Sequence, residues 1–503
     1  MDVKINRISN FLYSFRLSSN AGIRHVAKAL TFINPDTFAK RRKIEKFDKR
    51  KLTFRIGMLP TLEKYLRENA LGYIIEDYDY TLPEGTEIDG RMQGRYIHQR
   101  RAVEAFFRRR FGIIVVPTRG GKTFIASEIC RIFLRSEPGK FLFLTDNTTL
   151  FDQAVGDLKN FFEPYGGLEV GEIRAGKIDT SCRVTVGMIQ TIQSTLSGRC
   201  RDAKKKRDMR KYLKELQFLT VDEIHDNCSD SKLKIYKMCT ALDYQLCLSA
   251  TPYRSGAVVQ NLKLMEWSGD VVYTITEKIL RKRKVLSDYR VYMLLVNHNA
   301  LEYEIENDEY AVYTREMIHR SEYRNRILCQ TTEILRSLNL KTLLLFQSVA
   351  HGRSMEKTLG VPFISGSNSA QERAEAMTKF LKGKGGALSA SGIFKKGVTL
   401  PAAEVLINVD GGLEDANTIQ RKGRVLGMAE GKKKSLIIDF FDEFDAYLTD
   451  HSFSRLSTYV KAIGEKNVIV LDTSETDCME ALERYIKTVS YTHLRAHETS
   501  AHL

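Results

Sequence analysis

The chain has 503 residues, 43% hydrophobic and 28% charged, with a formal net charge of +16. That length exceeds what one core organises, so two to four domains are expected. No run approaches the roughly 20 apolar residues that span a bilayer, and the start, Met1-Asp2-Val3-Lys4-Ile5-Asn6, carries no apolar signal segment; a cytoplasmic protein without membrane contact is expected. The excess of Lys and Arg attracts polyphosphates, which puts nucleic acid among the partners. The eight cysteines include no C-x-x-C pair, so neither a zinc site nor a disulfide framework is supported.

Residues 1–88 carry no nucleotide motif. Residues 52–56 read as a strand and 60–69 as a helix opening at Pro60-Thr61. Residues 40–51 (KRRKIEKFDKRK) are either a solvated face or a phosphate-contacting surface on a small α/β accessory domain. From 89 to 277 short apolar runs (112–116, 141–144, 184–187, 216–221, 245–248) alternate with helical stretches such as 124–134. That alternation predicts a parallel sheet covered on both faces. The basic, polar stretch 278–289 reads as a connector. A second block of the same kind spans 290–475, with strands expected at 342–346, 387–389, 405–409 and 436–439. Residues 476–488 form a short C-terminal segment. Residues 489–499 (VSYTHLRAHET) resemble a translated sequencing adapter, so 489–503 and the histidines there are set aside as non-native, and the natural chain is expected to continue past about residue 488. The expected fold class is α/β: two parallel-sheet domains in tandem behind a small N-terminal α/β domain, with a site shared across an interdomain cleft.

Two runs carry chemistry. Pro117-Thr118-Arg119-Gly120-Gly121-Lys122-Thr123 lies between an apolar strand and a helix-forming run. Backbone N–H groups at such a helix start point at phosphates, and glycines let the chain approach closely. Lys122 reaches the β- and γ-phosphates, and Thr123 places its hydroxyl on magnesium. Val116 stands where the full pattern has its first Gly, and Arg119 stands where Gly is frequent. The second run, Val221-Asp222-Glu223-Ile224-His225, follows a buried strand. Asp222 is suited to hold Mg2+ through its water shell, and Glu223 to orient and deprotonate the attacking water. ATP and Mg2+ are the expected cofactors.

With these pieces in place the chain resembles a superfamily 2 helicase of the DExH type. Gln99 matches the upstream glutamine that reads adenine, and 118–123 match motif I. Residues 144–153 (LTDNTTLFDQ) resemble motif Ia, 184–192 (VTVGMIQTI) motif Ib, 222–225 motif II and 248–252 (LSATP) motif III. Residues 391–401 (SGIFKKGVTLP) resemble motif V, and 420–424 (QRKGR) begin motif VI. The set covers about 95–427 in family order. Within the superfamily it looks most like phage DNA helicases of the UvsW type, on layout more than on residues at the N-terminus.

The resemblance implies two RecA-like domains, ATP-dependent translocation on DNA, and unwinding of branched DNA or R-loops in recombination, repair or replication. It places the protein in a bacterial host cytoplasm, as a monomer whose partner is branched or duplex DNA or an RNA–DNA hybrid. It implies nucleotide contacts from Gln99, Thr118, Arg119, Gly120, Gly121, Lys122, Thr123 and Gly397, with Gln420 and Arg424 closing on the γ-phosphate. It gives His225, Ser249 and Thr251 a coupling role. It places Thr148, Thr149, Gln190, Thr191, Lys395 and Lys396 on DNA. Motif VI departs from the family pattern: Gly427 stands where a second arginine is usual. Residues 204–207 (KKKR) are a solvated helix face or an added DNA clamp. The competing readings are a double-strand translocase of a restriction system, an RNA helicase, and a non-catalytic nucleic-acid-binding protein with a degraded ATP site.

Overall fold

The structure is a computed structural model, and it describes residues 3–9, 12–17, 20–33, 43–76, 80–198, 200–254, 257–298, 310–383, 385–391, 403–412, 434–444 and 446–491. The chain divides into two compact units, Met1–Thr276 and Glu277–Leu503.

The first unit opens with a five-stranded sheet. Its order is Phe47–Asp48, Thr53–Arg55, Leu12–Leu17, Val3–Arg7, Tyr73–Glu76. Val3–Arg7 alternates buried and half-buried positions, as a strand with one covered face must. Helix Leu59–Glu68 starts with Pro60 in its first turn and buries Leu59, Leu62 and Leu66, a spacing of three and four that makes one face. Ile5, Tyr13, Phe15, Leu62 and Leu66 share this small core. Lys46, from the basic run at 40–51, lies with its Nζ 2.6 Å from Glu266, and past the run the Arg55 guanidinium sits 3.5 Å over the ring of Trp267.

The larger sheet of this unit has eight strands. Their order is Lys177–Ile178, Val170–Arg174, Val184–Met188, Phe141–Thr145, Phe218–Val221, Tyr244–Ser249, Phe111–Val115, Val271–Thr274. All pairings are parallel except the hairpin to Lys177–Ile178. Every residue of Phe141–Thr145, Phe218–Val221 and Tyr244–Ser249 is buried, the mark of strands covered on both faces. The central neighbours end in register, with Val221 opposite Leu144 and Cys247, and Ser249 opposite Val115. The loops after residues 115, 145, 221 and 249 therefore leave the same sheet edge, where parallel α/β sheets hold ligands.

The second unit carries a seven-stranded parallel sheet. Its order is Phe363–Ile364, Ala387–Ala390, Thr342–Leu345, Val405–Asn408, Lys434–Glu443, Asp288–Asn297, Val468–Asp472. Two apolar clusters, one around Leu294, Leu344 and Ile438 and one around Met293, Leu343 and Ile437, use alternate residues of the same strands. The stretch read as a connector belongs to this unit: Glu277–Lys282 is helical, Arg281 donates to the Ala462 carbonyl at 2.6 Å, and the strand Asp288–Asn297 begins inside it. The segment 476–488 is likewise packed in. Helix Cys478–Tyr491 buries Leu482 and Ile486 fully, and its last turn takes in residues 489–491 of the stretch set aside as adapter-derived. The fold class is the expected one, two parallel-sheet α/β cores in tandem with a small α/β domain in front.

Candidate nucleotide site and nucleic-acid face

The loop after Phe111–Val115 is built for a phosphate. Val116 N–H donates to the Ser249 carbonyl, and Gly120 N–H donates back to Pro117, closing a tight turn. Arg119 holds φ 66° and Gly121 φ 93°, both left-handed. The left-handed φ at position 119 is why Gly is frequent there, and here an arginine adopts it. Helix Lys122–Ser136 then begins with no side-chain cap hydrogen bond and no acidic residue in its first turn, a helix start whose dipole favours an anion.

Lys122 Nζ lies 2.7 Å from Glu223 Oε1, and the two side chains are 13% and 12% exposed. Glu223 itself adopts φ 43°, so the chain turns sharply as it leaves strand Phe218–Val221. Its N–H donates to Asp222 Oδ1 at 2.9 Å. Asn227 Nδ2 donates to the carbonyls of Asp222 and Glu223 and holds the turn. Burial and the neighbouring Glu223 push the Asp222 carboxyl up to about 6, against the pull of Lys122. Burial also raises Glu223, but Lys122 and His225 outweigh it and hold that carboxyl below its usual range. Two buried carboxylates thus share one ammonium. The donor set is short of positive charge, and a divalent cation fits it.

A polar chain leads from Glu223 to the third loop. His225 Nδ1 is 3.4 Å from Glu223 Oε2 and 3.0 Å from Ser249 Oγ, and Ser249 Oγ accepts the Thr251 N–H at 3.1 Å. Burial lowers the His225 pKa, with Glu223 and Asp226 opposing. Arg254 anchors Asp226 at 2.6 Å. Glu223 Oε2 and Thr251 Oγ1 are buried and accept no hydrogen bond among the described residues.

Gln99 is buried beside the loop and donates to the Gly120 carbonyl at 3.4 Å; a Cβ on Gly121 would meet its amide at 2.2 Å. His98, not singled out from sequence, lies 2.8 Å from the same carbonyl. Asp157 is also new: burial raises its carboxyl, with Gln153 and Thr123 opposing. Neither was legible, because the contacts join distant parts of the chain. The spacing of Asn227, five residues past Asp222, was the one local signal for that anchor.

Thr148 and Thr149 open helix Thr148–Phe162, where Asn147 Oδ1 accepts from Thr149 and Leu150. Gln190 and Thr191 open helix Ile189–Leu196, and Gln190 Nε2 donates to the Asp146 carbonyl at 2.7 Å. The structure therefore brings the two helix starts together. Lys395, Lys396, Gly397, Gln420, Arg424 and Gly427 lie outside the described residues. Among the described residues, no helix is long and apolar enough to cross a membrane.

Fold and site together define a P-loop protein of parallel α/β architecture with a tandem second α/β unit. The family model described as the res subunit of type III restriction enzymes matches residues 92–254, and that described as the helicase conserved C-terminal domain matches 311–427. Together they take in more than half of the chain, which belongs to the superfamily 2 helicases. It is similar to putative helicase 22 of Sulfolobus islandicus filamentous virus (isolate Iceland/Hveragerdi), 23% identical over 358 residues, 67% of this chain and 61% of that protein's length. It is also similar to the DNA 3'-5' translocase XPB2 of Sulfurisphaera tokodaii, 24% identical over 395 residues, 71% of this chain and 83% of that one. The crystal structure of T4 UvsW aligns over 93% of this chain and 99% of its own at 17% identity and a TM-score of 0.43.

Proposed function

We propose that this protein is an ATP-driven DNA translocase of the UvsW type that remodels branched DNA or R-loops. The observation that carries the reading is the continuous contact from Lys122 through Glu223 and His225 to Ser249 and Thr251. A group that senses the nucleotide is joined there to a loop that leaves the neighbouring strand. Lys122, Thr118, Arg119, Gly120 and Gly121 bind the triphosphate, and Gln99 reads the base. Thr123 and Asp222 hold Mg2+, which neutralises charge on the transferring phosphoryl group. Glu223 orients water and takes its proton. Gln420 and Arg424 complete the site by resemblance. Thr148, Thr149, Gln190 and Thr191 contact backbone phosphates, with Lys395 and Lys396 from the second unit, so binding is independent of sequence and steep in salt. The likeness to a DNA translocase supports DNA as the track.

A second reading, a double-strand translocase of the restriction type, is favoured by the family description over residues 92–254. Steady-state ATP hydrolysis with forked DNA, blunt duplex and RNA duplex, beside strand displacement on each, separates them. Stimulation and unwinding on forks support the proposal. Stimulation by blunt duplex without unwinding supports the second reading. Stimulation by RNA duplex alone overturns both.

A further inference from the structure

The helix Ala203–Lys214 carries Lys204, Lys205, Lys206, Arg207, Arg210, Lys211 and Lys214. It is firmly seated: Met209, Tyr212 and Leu213 are buried in the core of the first unit, and Asp202 caps its start by accepting from Lys205 N–H. Its cations, apart from the half-buried Lys206, are exposed. Their ion pairs are long, at 3.7 Å for Lys205–Asp202, 3.7 Å for Arg207–Asp208 and 3.9 Å for Lys211–Glu215. Lys204, Arg210 and Lys214 make no ion pair among the described residues. Exposed pairs of this kind hold their partners weakly, so these cations remain available to a polyanion.

Beside the helix runs an open groove of about 1100 Å3. One wall is the start of the basic helix at Lys205. The second is helix Ile189–Leu196, presenting Gln190, Thr191 and Gln193. The third is the hairpin of Val170–Arg174 and Lys177–Ile178, presenting Arg174, paired with Asp152 at 2.8 Å, and Lys177, paired with Glu172 at 3.0 Å. The polar part of the lining is cations, amides and hydroxyls, groups that bind phosphate and sugar, set among the apolar Ile178 and Met209 and the acidic Asp208. The groove is also continuous with the proposed track, because Gln190 both lines it and ties to the loop before Thr148.

We infer that this groove and the basic helix form an extension of the nucleic-acid path, gripping the backbone of one strand beyond the contacts at Thr148, Thr149, Gln190 and Thr191. The inference rests on the proposed nucleic-acid-binding function. It adds a second wall, made of the hairpin 170–178 and the helix 203–214, that the motif comparison does not assign. The occupant is a single strand's phosphate backbone, because the exposed cations are spaced along a helix at the groove's edge.

The test is the salt dependence of binding of the full chain to a fluorescent forked DNA, for the wild type and for the Lys204→Ala, Lys205→Ala, Arg207→Ala triple variant. Alanine keeps the helix, and Met209, Tyr212 and Leu213 stay in place, which a matching thermal midpoint confirms. Each lost phosphate contact flattens the plot of log affinity against log salt by roughly 0.7–0.9, so a loss of about 2 in slope is expected. In parallel, alkylation of Cys200, which lines the groove, is followed by peptide mass spectrometry with and without DNA. DNA should slow it several-fold in the wild type. An unchanged slope, or unprotected Cys200, with DNA bound to the wild type overturns this inference and leaves the function standing. A wild type that binds no nucleic acid overturns both.

Discussion

A triphosphate that claims the ammonium of Lys122 has to displace Glu223, whose Oε1 lies 2.7 Å away with both side chains nearly enclosed. A hydrogen bond to a charged group contributes roughly 1.5–3 kcal/mol, and at 12–13% exposure little of that is screened. Glu223→Gln keeps the side-chain volume and removes the charge. Two effects then separate. Nucleotide should bind about tenfold more tightly or better, since about 1.4 kcal/mol corresponds to a factor of ten. Hydrolysis should fall by at least about 10²-fold, since the group that takes the water's proton is gone. The assay pairs equilibrium binding of a fluorescent ATP analogue in Mg2+ with single-turnover hydrolysis, both with saturating forked DNA. Equal or weaker nucleotide binding by Glu223→Gln would show that the pair does not compete with phosphate. Retained hydrolysis would remove Glu223 from the chemistry.

Ser249→Ala deletes the oxygen that joins His225 to the Thr251 N–H; strand displacement per ATP consumed should drop at least about tenfold, and a parallel loss of hydrolysis and unwinding would refute coupling through this contact. Mg2+ use should be pH-dependent, because Asp222 is pushed up to about 6 and must lose its proton to hold a cation; the Mg2+ concentration for half-maximal hydrolysis should rise as pH falls below about 6, and equal values at pH 5.5 and 7.5 would refute this. Arg324 donates to both oxygens of the buried Asp442, so Arg324→Leu should cost about 3–5 kcal/mol in urea unfolding of the second unit. Burial pushes the Asp442 carboxyl up, but Arg324 and His298 outweigh it and hold it low. Its contribution is therefore present above the ordinary carboxylate pKa and lost as pH falls below about 4, and a wild-type stability that is flat from pH 5 to 3 would contradict that. Arg55→Ala should change the emission of Trp267, the chain's only tryptophan, and speed proteolysis between the N-terminal sheet and the large sheet; an unchanged spectrum would mean that the stacking is absent in solution.

What sequence made legible follows from where the chemistry sits. Residues 117–123 and 222–225 could be read because each is a contiguous run whose residue types state one job, and because the apolar runs before them mark the sheet edge. The runs 141–144, 216–221 and 245–248 were equally plain, being largely apolar, and the strands Phe141–Thr145, Phe218–Val221 and Tyr244–Ser249 there are buried throughout. Short strands with mixed composition were not. Val3–Arg7 and Leu12–Leu17 alternate with Lys, Asn, Ser and Arg, and Asp288–Asn297 begins within a stretch whose basic character suggested a connector. Arg324 and Asp442 are 118 residues apart, and no local pattern announces that a buried cation needs that carboxylate.

The same limit applies inside the site, and it changes how the motifs should be understood. Read as a string, Lys122 binds phosphate, Glu223 activates water and His225 couples. In the fold these groups are one chain of contacts: an ion pair between Lys122 and Glu223, a 3.4 Å approach of Glu223 to His225, and a hydrogen bond between His225 and Ser249. Lys122 and His225 both lower the Glu223 carboxyl. Drawing Lys122 away onto phosphate therefore makes Glu223 a stronger base and throws more of its charge onto His225, the side chain that contacts the next loop. Under the proposed function, placing Glu223 against Lys122 would tie proton abstraction, and the signal through His225, to occupation of the loop.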